Sequence, residues 1–256
     1  LEVFGRQWFA LGEKNLFLSL GFYFYEKLLF ILPFNYYIAI SQYTKNNLKN
    51  FFSIDSKKIS VVYPQIDKAL WDPQKYNREE FRKKLGLKNE FVYLYFGRPG
   101  ISKGVEYLLK VVPLIKKKIP QSKLVLILTR DPRNRYEMIK KNIALPDIKK
   151  DVILMPPVPR NELPGYIKAA DCVVIPSLSE GFGLSALEAV NIGVPVVVTK
   201  VGAIPEVIFG KYLFVEPKNV SSLAKGIISV ARGQFEVRDK KFKEPEIAIL
   251  EYLKIY

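Results

Sequence analysis

Between residues 91 and 231 the chain alternates short apolar runs, rich in β-branched residues, with longer stretches whose apolar positions recur at three and four. Runs over 91–97, 123–129, 152–155, 171–175, 194–199 and 212–215 predict strands. Stretches over 103–119, 135–142, 160–169, 183–192 and 219–231, with a short turn near Ile204, predict helices. Strands apolar on both faces and each followed by a helix belong in a parallel sheet covered on both sides, so the fold class is α/β. The pattern before this series differs. An apolar stretch over 16–34 predicts a helix; a strand over 36–40, a polar turn at Ser41, a helix over 43–52 and a strand over 59–62 follow. Residues 63–77, rich in Pro, Asp and Gln, read as a linker, and 245–256 as a closing amphipathic helix.

A membrane span needs about 20 predominantly apolar residues free of central charge. Glu26 and Lys27 interrupt the 16–34 stretch, and Gly21 and Pro33 weaken it, so it reads as a buried or membrane-surface helix. Of the 256 residues 49% are hydrophobic, enough for one large core or two smaller ones. The formal net charge of +15 favours anionic partners, with a lysine-rich solubilising surface as the plain alternative. Cys172 stands alone in an apolar strand and reads as a buried thiol, which fits cytosolic residence. The sequence contains no histidine, which excludes imidazole-based triads and metal sites from these residues. With no Asp-x-Asp pair or ligand cluster either, no metal is expected.

In an open parallel sheet, ligands bind beyond the carboxyl ends of the strands. Two groups there carry chemistry. Gly97-Arg98-Pro99-Gly100-Ile101-Ser102-Lys103-Gly104 sets a guanidinium fork and a mobile ammonium at a strand-to-helix junction, suited to a diphosphate. The spacing of a phosphate-cradling P-loop is absent. Around the turn Gly181-Phe182-Gly183 stand two acids, Glu180 on the loop and Glu188 inside the next helix. Uncovered amides at a helix N-terminus favour anionic groups, and carboxylates accept several hydrogen bonds from sugar or ribose hydroxyls. Met155-Pro156-Pro157-Val158 reads as a base pocket or a rigid loop. The three arginines within 129–135 read as a solvated charged loop.

In order along the chain, several segments resemble glycosyltransferase family 4, retaining enzymes of the GT-B fold. Phe96-Gly97-Arg98 with Lys103-Gly104 is similar to its Gly-Arg…Lys-Gly element. Ala170-Asp171, Pro176-Ser177 and Glu180-Gly181-Phe182-Gly183 through Leu187-Glu188-Ala189 are similar to its Glu-x7-Glu motif. Gly193-Val194-Pro195-Val196-Val197 and Gly202-Ala203-Ile204-Pro205-Glu206 are similar to the segments that follow.

The resemblance implies a Rossmann-like parallel sheet flanked by helices, plus a fragment of a second Rossmann-like domain. It implies transfer of a sugar from a nucleotide-sugar donor, UDP- or GDP-linked, with retention, no metal and no cofactor. Arg98 and Lys103 would bind the diphosphate, and Glu180 would sit beside the transferred sugar, these three being the catalytic group. Glu188 would hold the ribose, and the amides of Gly181, Phe182, Gly183 and Leu184 would face sugar and phosphates. Two departures fall near the base pocket: Thr129-Arg130-Asp131 stands where a Gly-rich turn is usual, and Pro156-Pro157 where a glycine is common.

By this reading, 1–62 is the end of an acceptor-side domain, 63–236 the donor-binding domain, and 237–256 a helix crossing back. Residues upstream of Leu1 are expected to be missing, and 1–256 alone to bind donor weakly without turnover. An acceptor sugar or lipid-linked glycan is the expected partner, with no nucleic acid. The expected location is cytoplasmic, with peripheral contact at the inner membrane face through 17–34. The competing reading is a non-enzymatic basic module for nucleotides or nucleic acid, carried by the charge alone.

Overall fold

The computed structural model describes residues 34–239, together with separate positions at 21, 24, 25, 28, 29 and 253. The helices expected over 16–34 and 245–256 lie almost wholly outside the described residues. A small unit comes first: strand β1 (Tyr37–Ala39), helix α1 (Gln42–Phe52) and strand β2 (Ile59–Val61), with β1 and β2 paired in parallel. Its own core is Ala39, Leu48, Ile54 and Ile59. Ser41 caps α1 by accepting the Thr44 amide, as Ser and Asp do where the first-turn amides lack partners.

The main body is a seven-stranded sheet. In chain order it comprises α2 (Arg78–Lys84), β3 (Phe91–Gly97), α3 (Val105–Lys118), β4 (Ser122–Leu128), α4 (Arg133–Ile143), β5 (Val152–Met155) and α5 (Leu163–Ala169). Then come β6 (Cys172–Ile175), α6 (Leu184–Asn191), β7 (Val196–Thr199), α7 (Ile204–Val207), β8 (Gly210–Val215), α8 (Val220–Ala231) and β9 (Glu236–Arg238). The spatial order is β5-β4-β3-β6-β7-β8-β9, with all pairs parallel except β8 with β9. The chain runs outward from β3 through β4 to β5, then crosses back to lay β6 against the other side of β3. That reversal is the topological switch point, from which the helices after β3 and β6 leave to opposite faces of the sheet, the place where ligands of such sheets bind.

Period-two alternation splits the core into two layers. Val92, Leu94 and Phe96 of β3 face α2, α5 and α6, while Tyr93 and Tyr95 face α3, α4 and α8. Each fully buried aliphatic of this kind is worth about 1.5–3 kcal/mol. Cys172 is wholly buried in the second layer, and burial pushes its thiol up to about 12.

Three elements differ from the pattern-based reading. Helix α2 follows Asn77, whose side chain accepts the Glu79 and Glu80 amides. Residues 63–77 are not a free linker: Trp71 is 2% exposed within the main core, and Tyr63, Ile66, Leu70 and Tyr76 pack on it. Strand β9 adds an antiparallel edge, its Tyr212–Glu236 register supported by a Tyr212 hydroxyl to Glu236 carboxylate bond. Among the described residues no helix is long and apolar enough to cross a membrane.

At the amino ends of β3 and β6 the charged groups are densely cross-linked to the backbone. Asp171 accepts the Val92 amide at 2.8 Å and pairs with Arg78 at 2.6 Å and Arg82 at 3.5 Å. Buried Arg82 also donates to the carbonyls of Lys88, Glu90 and Ala169, and Arg78 to those of Lys168 and Ala170. This cluster ties α2 to the sheet.

Candidate functional site

At the carboxyl ends of β3 and β6 lies a cleft of about 240 Å³, lined among others by Tyr95, Arg98, Lys103, Ser177, Glu180 and Ser185. Backbone contacts set its shape. Gly104 sits at φ +65°, and a Cβ there would overlap the Pro176 carbonyl. Gly202, at φ +54°, presses in the same way on the Glu180 carbonyl, which accepts the Ala203 amide at 3.1 Å. Only glycine combines that φ with so close an approach. The Leu178 amide donates to the Ser102 carbonyl at 2.7 Å, closing the β3 and β6 loops on each other.

Within this frame the sequence-predicted groups converge. Lys103 Nζ reaches Glu180 Oε1 at 2.7 Å, and Ser177 Oγ donates to the same oxygen at 2.8 Å. Glu180 is buried and lines the cleft; its Oε1 is fixed by two donors, while its Oε2 takes no hydrogen bond from the described residues. Ser177 is itself placed by Thr199, whose hydroxyl donates to the Ser177 carbonyl. Arg98 is exposed at the rim, its carbonyl held at 2.9 Å by the buried Tyr95 hydroxyl. Burial raises the Tyr95 phenol further above its ordinary range, so it remains a donor at any working pH.

Helix α6 points its first turn at this space. Gly183, its N-cap, offers no side chain, and among the described residues the amides of Gly183, Leu184 and Ser185 meet no protein acceptor. Glu188 follows Ser185 by three residues, so it lies on the same helix face one turn deeper. Its carboxyl is pushed up to about 7, chiefly by burial, with Arg160 at 3.8 Å opposing the shift. Phe182, in contrast, turns its ring into the core beside Tyr63, leaving only its backbone toward the turn.

Sequence reasoning assigned no role to a second set of contacts on the same turn. The Gly181 carbonyl accepts Ser41 Oγ at 3.0 Å and Thr44 Oγ1 at 3.5 Å. Glu206 of α7 accepts the first-turn amides of α1, Gln42 at 2.7 Å and Tyr43 at 3.1 Å, and the Tyr63 hydroxyl. A carboxylate at a helix N-terminus is favourable electrostatically, and here it bridges two units. Its partners lie 143 to 164 residues away, so no local pattern discloses it. The sequence likewise gives no separate role to Ser177, which lies inside a quoted motif, or to Thr199 and Tyr95, which stand near strand ends beside the motifs. No group of three or more His, Cys, Asp or Glu able to hold a metal occurs among the described residues.

Known proteins share this architecture. The chain is 33% identical over 195 residues to an uncharacterized glycosyltransferase of Methanocaldococcus jannaschii, covering 74% of this chain and 49% of that protein. It is 35% identical over 164 residues to a D-inositol 3-phosphate glycosyltransferase of Pseudarthrobacter chlorophenolicus, covering 63% and 39% respectively. The chain thus spans about half or less of the curated relatives' length. Among solved structures, a sucrose-phosphate synthase of Thermosynechococcus elongatus superimposes with a TM-score of 0.74 at 24% identity, over 90% of this chain and 57% of that one. Anabaena HepE, solved with UDP and glucose, gives 0.68 at 23% identity over 77% and 53%. These two likenesses establish the Rossmann-like GT-B fold. The family model for glycosyl transferases group 1 matches residues 77–244, α2 through β9, and the chain belongs to that family.

Proposed function

We propose that the chain is the donor-binding part of a glycosyltransferase that moves a sugar from a nucleotide-sugar donor to an acceptor, with retention and without a metal. The observation that carries this reading is the convergence of Lys103, Ser177 and Glu180 in one cleft at the switch point, with Arg98 on its rim. A diphosphate seated there meets the Arg98 fork, the Lys103 ammonium and the unengaged amides opening α6. These cationic and dipolar groups stabilise the charge that develops on the departing nucleotide. Lys103 is shared rather than consumed by Glu180: an ammonium has three donors, so phosphate can be added without breaking the pair. Glu180 Oε2 is left to accept a hydroxyl of the transferred sugar, and Glu188, one turn deeper, to accept the ribose hydroxyls. Solved proteins of this fold carrying UDP, UDP with glucose, or UDP with alpha-GlcNAc-glycerol and fondaparinux support the donor class.

In this reading 63–236 is the donor domain and 1–62 belongs to the acceptor side. The acceptor is a sugar or a lipid-linked glycan, and the protein works in the cytoplasm or at its membrane face.

A thermal-shift panel of UDP-, GDP- and ADP-sugars on the full chain tests the proposal. At least one nucleotide series should raise the midpoint, and Lys103→Ala should weaken that ligand by roughly 10- to 100-fold, as expected for a charge-assisted contact. No response to any nucleotide diphosphate, or a response that Lys103→Ala and Glu188→Ala both leave intact, overturns it. Salt-sensitive RNA or DNA binding without a nucleotide response would instead favour the basic-module reading.

A further inference from the structure

The end of the sheet opposite the cleft concentrates positive charge. Helices α3 and α4 both finish there, and the segments 114–123 and 138–151 contain eight lysines against two acids, Asp147 and Asp151. Across the whole chain the ratio is 40 to 25, so this end is well beyond the average. The two segments form one surface. Asp151 binds Lys116 at 2.7 Å and Lys123 at 3.6 Å, and Lys123 donates to the Lys150 carbonyl. Beneath them Ile115, Ile143, Ile148 and Val152 share the core layer of α3 and α4. One of the two acids is therefore already engaged, while Lys117, Lys118, Lys140, Lys141, Lys149 and Lys150 are exposed.

Two leucines stand in this lysine field. Leu114 is 44% exposed and Leu145 54%, among the few large exposed hydrophobics of the described residues. Leu114 lies one helical turn from Lys118. Leu145 lies four residues from both Lys141 and Lys149, in turns closed by the Leu145 amide to Asn142 and the Lys149 amide to Leu145. Neither segment contains an arginine or an aromatic residue, the groups that fork onto nucleic-acid phosphates and stack on bases. Flexible ammonium groups around protruding aliphatic side chains fit a bilayer interface instead, where lysines meet anionic headgroups and leucines reach the acyl boundary.

We propose that this end of the molecule is a docking surface for an anionic lipid bilayer. Polybasic attraction alone is reversible, and exposed aliphatic side chains beside the lysines add apolar burial to it. Bound this way, the protein holds its cleft on the far side of the sheet, roughly 20 Å from the lipid across a seven-residue strand, open to water-borne donor.

Co-sedimentation of the full chain with phosphatidylcholine vesicles, with and without phosphatidylglycerol, tests the proposal. Binding should require phosphatidylglycerol and weaken as salt rises. Replacing Lys117, Lys118, Lys149 and Lys150 by Gln should weaken it by up to several hundredfold, at about fivefold for each lysine lost. Leu114→Ser with Leu145→Ser should weaken it by roughly tenfold while leaving the salt dependence unchanged. Neither set touches the cleft, so nucleotide-induced thermal shifts should persist in both and confirm that the variants fold. Equal binding to pure phosphatidylcholine, or binding that survives the four lysine replacements, overturns the proposal. So does RNA binding by the full chain with no vesicle binding.

Discussion

The two ends of the sheet use the same chemistry for opposite purposes. At the amino ends, Asp171, Arg78 and Arg82 form a carboxylate–guanidinium cluster in which buried Arg82 spends its donors on backbone carbonyls and on Asp171, and Arg78 adds two carbonyls and the same carboxylate. At the carboxyl ends, Glu180 and Lys103 pair at a comparable distance, but one carboxylate oxygen, two ammonium hydrogens, the Arg98 guanidinium and the opening amides of α6 keep capacity to bind more. Ion pairing by itself therefore does not mark a site. Unused donor and acceptor capacity beside an ion pair does.

The comparison is broken most forcefully at its structural end. Arg82→Met should destabilise the fold by several kcal/mol, at about 1–3 kcal/mol for each acceptor left without its donor, because it strips the buried Ala169 carbonyl and the partly buried Lys88 and Glu90 carbonyls and leaves Asp171 with Arg78 as its one guanidinium partner. Urea unfolding measures this, and donor binding by the folded fraction should be unchanged. An equally large loss from Lys103→Ala would erase the distinction between the two ends.

Glu188→Gln sharpens the comparison in the opposite direction, since a buried acid whose one nearby cation, exposed Arg160 at 3.8 Å, offsets its desolvation only in part is a cost in the ligand-free protein. Its carboxyl is raised from 4.5 to about 7, so the folded state favours the protonated form. Below about pH 4.5 both states are protonated and the residue is neutral to stability. Between 4.5 and 7 the unfolded chain ionises first and stability falls; above 7 the full penalty, about 3 kcal/mol at most, persists. Glu188→Gln should therefore raise the unfolding midpoint at pH 8 and leave it unchanged near pH 4. A gain in stability that also preserves donor affinity would remove Glu188 from the site.

The smallest effect is expected from Tyr95→Phe, which deletes the hydroxyl under the Arg98 carbonyl. One neutral hydrogen bond is worth about 1 kcal/mol, so donor affinity should fall by roughly fivefold or less. Rescue of affinity by lowering salt would show that Arg98 has been displaced rather than lost.

Most of the sheet was legible because its strands are apolar on both faces and short, as in Val152–Met155 and Cys172–Ile175, whose limits the pattern gave to within a residue. Helix α2 was hidden by its polar surface: of its seven residues only Phe81 and Arg82 are buried, although Asn77 and Glu80 were present as a start signal. Strand β9 has three residues, none of them buried, so it carries no periodic signal at all. Residues 63–77 misled by composition: Pro and Asp there form the caps and turns that hold Trp71 in the core. In the site, Arg98, Lys103, Glu180 and Glu188 were visible as chemistry at strand and helix ends. The roles of Thr199 and Glu206 were not, because they depend on atoms 22 to 164 residues away, and Ser177, though inside a quoted motif, showed no role until the loop set it against Glu180.

Glu206 also bears on how the molecule comes into being. The Gln42 and Tyr43 amides and the Ser41 hydroxyl find their acceptors only after a chain of some hundred and forty residues or more has closed on itself. Loop closure over that separation is slow and entropically costly, so local βα units form before it. The Gly181 turn consequently receives its last anchors late in folding. For the same reason, the seam between α1 and α7 is the natural place for the native molecule to open locally while its central strands stay closed.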